Sequence, residues 1–336
     1  DNYVFAKLYR SKIYFRGFDK NNTEIKDIFN YCPTYYIPSK SDGQHLSVYG
    51  DKLKSVNFKS ISEGRKWKKE MKEIGVPVYG DISEDIQFIS DLPKTKHKIQ
   101  DDLRVLFYDI ETTVDNGFPD VKEAVETITL ISTYDTSTDA VHLFSYKRFN
   151  LNEAYKTVSD DDVKLMSQYK IVEHQHDSEY DMLVDFLSYW KNVDPHIISG
   201  WNIDSFDNVY IYNRYKRIFG EKVAKALSPF DIVNIREYTD GFGREQISCE
   251  FFGISSLDYM EVYKTNTFHS MPNYKLDTVA ERETGYAKIH HDGTFKDFYT
   301  NNWDKFVAYS IRDSILVNEI DKNTKLMSVS INVSYT

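Results

Sequence analysis

The sequence predicts an α/β chain of two domains, on three observations. Its 336 residues exceed one typical domain and suit two. Its first 50 residues alternate apolar and polar side chains between turn signals, the pattern of a β-meander. From 103 onward, several strand-like runs give way to alternating helical and strand-like segments, which implies a mixed sheet flanked by helices.

Taken in order, "NYVFAKLYRSKIYFRGFDKNNTEIKDIFN" reads as strands with a turn at "DKNN". "SISEGRKWKKEMKEIG" (60–75) has helical spacing, with Ser62 as its cap and Gly75 as its stop. Its Lys and Arg residues read as a solvated face, with phosphate contact as the alternative. The polar segment 91–102, "DLPKTKHKIQDD", reads as a linker and places a boundary near 100. The first domain is therefore 1–100, β-rich with one helix.

Four strands follow in "LRVLFYDIET", "ETITLISTYD", "AVHLFSYKRF" and "KIVEHQH". Next come a helix at 178–193, a buried strand "PHIISGWN" and a helix at 205–219. "IVNIREY" and "REQISCEFF" flank the turn "TDGFG" and predict a hairpin. Two more helices are predicted, near 274–284 and from about 302 to 327.

Composition narrows the function classes. With 41% hydrophobic and 15% aromatic residues the chain can bury substantial cores. No apolar run approaches the roughly 18 residues of a membrane helix, so a soluble protein is expected, and two cysteines far apart are ordinary for a reducing cytoplasm. The N-terminus "DNYVFAKLYR" resembles neither a signal nor a transit peptide. It lacks Met, so residue 1 is not expected to be a native start. The two cysteines, Cys32 and Cys249, form no C-x-x-C pair, which excludes a zinc–cysteine site. A net charge of −10 argues against a basic nucleic-acid binder but not against a metal-dependent nuclease, whose cations manage the phosphates.

Three acidic stretches carry the candidate chemistry. In "FYDIETT", Asp109 and Glu111 are two apart on a strand and project to one face. Either the strand ends in water there, or the pair faces a hard divalent cation that relieves its repulsion. In "SGWNIDSFDNVYIYNR", Asp204 or Ser205 caps a helix and Asp207 falls in its first turn, beyond the carboxyl end of a strand. Asp207 is either a ligand or a dipole-favoured acid. In "FVAYSIRDSILV", Tyr309 and Asp313 share a helical face, and Asp313 is bracketed by apolar residues. A buried Asp needs a partner, either a metal or a Lys or Arg.

The ordered set D-x-E, W-N-x-x-x-F-D and Y-x-x-x-D resembles the three exonuclease motifs of family B DNA polymerases. "GWNIDSFDNVYIYNRYKRIFGEKVAKALSP", "FGISSLDYMEVYK", "PNYKLDTVAERETG" and "VYGDKLKS…GRKWKKEMKEIG" extend the resemblance to members of the T-even bacteriophage type. It covers essentially the whole chain and ends at "SVSINVSYT"; no D-x-x-S-L-Y-P-S run or D-T-D turn of a polymerase site is present.

The resemblance implies a ribonuclease-H-like (DnaQ-like) 3′→5′ proofreading exonuclease domain over 101–322, with 323–336 returning to the N-terminal domain. It implies two cations per site, Mg²⁺ or Mn²⁺, held by Asp109, Glu111, Asp207 and Asp313, with Asp109 touching both. Tyr309 would orient the attacking water and Lys288 would lie near the scissile phosphate, although "HH" beside Lys288 departs from the family pattern. Phe118 and Phe206 would stack on terminal bases, and Asn202 would hydrogen-bond near the terminal nucleotide, each with a packing or turn role as the alternative. The hairpin would separate strands. Implied partners are single-stranded DNA, primer 3′ ends, polymerase domains and a sliding clamp, with the chain a monomer in a phage host's cytoplasm.

A subunit of a split polymerase and a non-catalytic nucleic-acid-binding module are the alternative functions. His174 and His176 read as a surface pair, His290 and His291 as turn residues, and Asp160–Asp162 as a solvated helix start. Asp258 and Asp277 read as structural.

Overall fold

A computed structural model of the chain describes residues 3–40, 43–92, 103–239, 241, 243–268 and 271–334. The expected linker lies mostly outside the described residues. Contacts divide the chain into two compact units, Asp1–Ile99 and Gln100–Thr336.

The first unit contains β1 (Tyr3–Tyr9), β2 (Lys12–Phe18), β3 (Glu24–Phe29), β4 (Thr34–Pro38), β5 (His45–Leu46), β6 (Lys52–Asn57), α1 (Ile61–Glu73) and α2 (Glu84–Asp91). β1, β2 and β3 form an antiparallel sheet, and β4, β6 and β5 form another. The β2–β3 turn is set by Asp19, whose Oδ1 accepts the N–H groups of Asn21 and Thr23. Phe88 of α2 packs on Ile13 and Phe15 of β2.

The cap of α1 is Ser60 rather than Ser62, because Ser60 Oγ accepts the Glu63 N–H. On α1, Arg65 is paired in bidentate fashion with Glu84, and Lys68 with Asp81, at 2.6–2.7 Å. Among the described residues, Lys66 and Lys69 make long i,i+4 pairs in solvent, with Glu70 and Glu73. This basic run is mostly a paired or solvated face.

The second unit contains β7 (Val105–Thr112), β8 (Ile128–Asp135), β9 (Ala140–Ser145), α3 (Leu151–Lys156), α4 (Asp160–Met166), β10 (Lys170–Gln175), α5 (Glu179–Val193), β11 (Ile197–Gly200), α6 (Asp207–Phe219) and α7 (Glu221–Lys225). Then follow β12 (Val233–Thr239), β13 (Glu245–Phe251), β14 (Ser255–Asp258), α8 (Tyr259–Asn266), α9 (Leu276–Thr284), α10 (Phe295–Asn301), α11 (Trp303–Thr324) and α12 (Leu326–Ser334).

Its central sheet has the order β10-β9-β8-β7-β11-β14, and only β8 runs against the others. This is a mixed α/β layer structure. Alternate residues of β7 serve opposite faces. Leu106, Tyr108 and Ile110 pack beneath α5 and α6, while Val105 and Phe107 pack beneath α11. Asp109 and Glu111 continue the second row, so β7 delivers both to the α11 side.

The predicted helix 302–327 breaks at Lys325, whose φ of 58° is left-handed, and resumes as α12. Residues 323–336 were expected to return to the first domain. The described part instead groups with the second unit, because Leu326, Met327 and Ile331 are buried in its core. α6 is capped differently from the expectation too: Phe206 stands at its N-cap without a side-chain bond. Asp204 is occupied instead by Ser256 and by Asn208 Nδ2, and Ser205 Oγ donates to Asn202 Oδ1 at 2.7 Å.

Candidate active site

β7, β11, α6 and α11 converge at the carboxyl end of the central strands. β11 lies so close to β7 that a Cβ on Gly200 would meet Tyr108 O at 2.4 Å. The chain then turns through Asn202, at φ 66°, into α6. Asp258 fixes that turn by accepting the N–H groups of Asn202 and Asp204 as well as of Met260. α11 comes close to β8 through small residues: Ser132 Oγ donates to Ser310 O, and Ser314 Oγ donates to Ser132 O. This close seating brings Asp313 over the end of β7.

Asp109, Glu111 and Asp313 form one cluster, with a carboxylate oxygen from each lying within 4.8 Å of the others. Glu111 and Asp313 are buried and Asp109 is half-buried. Burial, then repulsion by Asp313, pushes Asp109 up to about 7 against the opposing pull of Lys288. Burial, then Asp109 and Asp313, pushes Glu111 well above the carboxylate range. Burial also raises Asp313, although Lys288 and Tyr309 counter it.

Lys288 Nζ is 2.5 Å from Asp313 Oδ2 and lies 4.9 Å from the centre of the Tyr309 ring. Burial works against its charge, but Asp313, Asp109 and Glu111 outweigh that and raise its pKa. Tyr309 bonds Asp313, and burial and the acids hold its phenol protonated. At neutral pH it is a hydrogen-bond donor rather than a base.

Asp207 does not join the three-carboxylate cluster. It is buried, 3% exposed, at the first residue of α6, and its Oδ1 accepts the Ile110 N–H at 3.0 Å. Burial, then Asp109, raises its pKa well above the usual range. Its mutual repulsion with Asp109 puts the two acids in one electrostatic field across the end of β7.

Three crowded acids share one lysine, their charged forms disfavoured until a cation relieves the repulsion, and Asp313 Oδ1 is buried with no hydrogen-bond partner among the described residues. An all-oxygen carboxylate set suits a hard divalent cation.

At the start of α6, next to Asp207, opens a cleft of about 630 Å³ lined by Phe118, Asn202, Ser205, Phe206, Tyr238 and Ile247. β12 and β13 pair antiparallel and form one wall of it. Phe118 is 87% exposed, so it is not a core residue, and its ring centroid is 6.0 Å from that of Phe206. Phe206 in turn stacks on Tyr210.

Glu126 went unnoticed in the sequence. It holds the loop displaying Phe118 by accepting from Thr113 Oγ1, from the N–H groups of Asp115 and Asn116, and from Asn116 Nδ2. Burial would raise its carboxyl, but these bonds outweigh that and lower it. Its only sequence signal is an acid at the start of an apolar strand.

His174 and His176 both bind Asp185, at 3.0 and 3.2 Å. His174 also touches His142, so the pair is a network rather than a free surface pair. Nor is Asp162 merely solvated: its Oδ1 lies 3.1 Å from Arg312 Nη2.

The family model for the exonuclease domain of family B DNA polymerases matches residues 52–279. The chain belongs to that family. It is 29% identical over 350 residues to the DNA-directed DNA polymerase of Escherichia phage RB69, covering 99% of this chain and 38% of the relative. With the DNA-directed DNA polymerase of Enterobacteria phage T4 it shares 30% over 348 residues, again 99% of this chain and 38% of the relative. A DNA polymerase catalytic subunit of Saimiriine herpesvirus 2 is 28% identical over 229 residues, or 65% of this chain and 21% of the relative. The chain thus spans less than two fifths of the length of the phage relatives and corresponds to their exonuclease region.

Proposed function

We propose that the second unit hydrolyses the terminal phosphodiester of a single-stranded or frayed DNA 3′ end, releasing deoxynucleoside monophosphates. The observation that carries this reading is the meeting of Asp109, Glu111 and Asp313 with Lys288, and a cleft walled by Phe118 and Phe206 at the start of α6 supports it. The sheet order, with one reversed strand beside β7, fits a ribonuclease-H-like fold.

Asp109, Glu111 and Asp313 would hold one Mg²⁺ or Mn²⁺, and Asp207 with Asp109 would serve a second. When bound, such cations activate water and stabilise the departing 3′ oxygen. Tyr309 orients the attacking water through its phenolic oxygen, which can accept from that water while its O–H stays on Asp313. Lys288, able to leave Asp313 for a phosphate oxygen, offsets charge on the scissile group. Phe118 and Phe206 stack on the terminal bases, and Asn202 contacts the terminal nucleotide. Stacking accepts any base, as removal of mismatched ends requires. In a longer protein this domain serves, as a monomer in the host cytoplasm, polymerase domains and a sliding clamp, and the β12–β13 hairpin guides the frayed end.

The test is a 5′-labelled oligonucleotide incubated with Mg²⁺ and with Mn²⁺. The parent chain shortens it from the 3′ end in a ladder, and Asp109→Ala leaves it almost intact. No cleavage by the parent with either ion overturns the reading; equal cleavage by the variant overturns the site.

A further inference from the structure

We propose that Arg312 and Asp277 are positioning residues that aim Lys288 at the carboxylate cluster by gripping the peptide unit in front of it. The proposal rests on the nuclease reading of this site. The C=O of Ala287 and the N–H of Lys288 are the two ends of one planar peptide group. Asp277 Oδ1 accepts that N–H at 2.7 Å. Arg312 Nε and Nη2 both donate to that C=O, at 3.3 Å each. A plane held at both ends resists rotation, and it fixes the Lys288 Cα from which the side chain departs. That matters because a lysine has a flexible four-carbon stem and little geometric preference of its own.

The arrangement has a second order. Consecutive residues of α11 hold consecutive residues of the 287–288 segment: Arg312 takes the Ala287 carbonyl and Asp313 takes the Lys288 ammonium. Arg312 is fixed in turn by Asp162, at 3.1 Å, and by the face of Tyr286, at 4.9 Å.

Stability alone does not account for Arg312. It is 2% exposed among Ile311, Ile315 and Leu316, and its Nη1 has no hydrogen-bond partner among the described residues. A buried guanidinium with an unmet donor is costlier than an apolar side chain of similar volume. What the arginine supplies, and a leucine could not, is an ion pair with Asp162 that anchors it and a grip on the Ala287 carbonyl that reaches the Lys288 segment.

Two readouts on the full chain test this, applied to Arg312→Met, Arg312→Lys and Asp277→Asn. The first is limited acylation of lysines by acetic anhydride, read by mass spectrometry. Lys288 is paired in the parent, so its labelling relative to Lys296 rises several-fold in Arg312→Met and Asp277→Asn, and less in Arg312→Lys. The second is oligonucleotide hydrolysis. Arg312→Met lowers kcat about tenfold with little change in KM, and the Lys288→Met/Arg312→Met double variant is no slower than Lys288→Met alone, as expected for residues acting through one group.

Unchanged Lys288 labelling in both Arg312→Met and Asp277→Asn overturns the proposal, as do kinetic losses that multiply in the double variant. An inactive parent overturns the nuclease reading alone, because the labelling still decides the positioning. If Arg312→Met does not fold, Asp277→Asn and Arg312→Lys carry the same readouts.

Discussion

Lys288 Nζ sits 2.5 Å from Asp313 Oδ2, while Oδ1 of the same carboxylate is buried with no hydrogen-bond partner among the described residues. One oxygen is satisfied and the other is not, in a carboxylate that clusters with those of Asp109 and Glu111. A divalent cation bound only to the folded state must stabilise it, by about 2.7 kcal/mol at a hundredfold excess over Kd. Mg²⁺ or Mn²⁺ should therefore raise the Tm of the parent, and Asp313→Asn should clearly reduce the rise. An equal metal-dependent shift in the variant would place the cation elsewhere.

Without metal the same acids work against folding. Burial and Asp313 push Asp109 up, which is to say its charge is poorly tolerated there. Asp109→Asn should therefore be more stable than the parent in EDTA, by about 1 kcal/mol or more, while losing hydrolysis. Urea unfolding in EDTA measures it, and a less stable variant would show that the carboxylate is held favourably after all.

Much of this site is legible in the sequence, because strand and helix periodicities assign faces without any knowledge of distance. Asp109 and Glu111 share a face by their spacing, and Asp313 betrays itself as an acid among apolar residues. Asp207 is legible as to its turn but not its partner: the bond to Ile110 N joins residues far apart in the chain. The α6 cap is misread because Asp204 has a stronger attachment in Ser256, a residue on β14. Glu126 and Arg312 are invisible for a related reason, since each grips a backbone group, and backbone groups carry no sequence signal. The C-terminal break is missed because Lys325 adopts a left-handed conformation that favours glycine.

Phe118 makes a separable contribution. At 87% exposure its truncation should change stability by less than about 0.5 kcal/mol. A base stacked on an aromatic ring gains roughly 1–3 kcal/mol, so Phe118→Ala should raise KM for a single-stranded oligonucleotide by about tenfold or more. Unaltered KM with unaltered stability would mean that the ring touches no base.

Gly200 is required by close approach rather than by backbone conformation. A Cβ there would lie 2.4 Å from Tyr108 O and 2.5 Å from Ile203 Cγ2, and the first of these is backbone that cannot swing aside. Gly200→Ala should force β11 away from β7 and cost on the order of 2 kcal/mol or more. Because that movement also shifts the turn leading to Asp207, kcat should fall even at temperatures where the variant stays folded. Thermal unfolding and hydrolysis, measured on the same preparation, check both effects.

His142 should make the fold sensitive to acid. Burial, then the neighbouring His174, pushes it down to about 4, so the folded chain keeps it neutral where an unfolded chain takes up a proton near 6.5. The unfolded state thus binds more protons between those values, and this contribution to stability is lost as pH falls from about 6.5 to about 4. Allowing for its partial exposure, the loss should be on the order of 1 kcal/mol by pH 5. Its Nδ1 lies 3.1 Å from His174 Nε2, and the other nitrogen of His174 lies 3.0 Å from Asp185 Oδ2. Urea unfolding at pH 7 and pH 5 should show a smaller pH difference for His142→Gln than for the parent. Equal differences would assign the acid sensitivity to other groups.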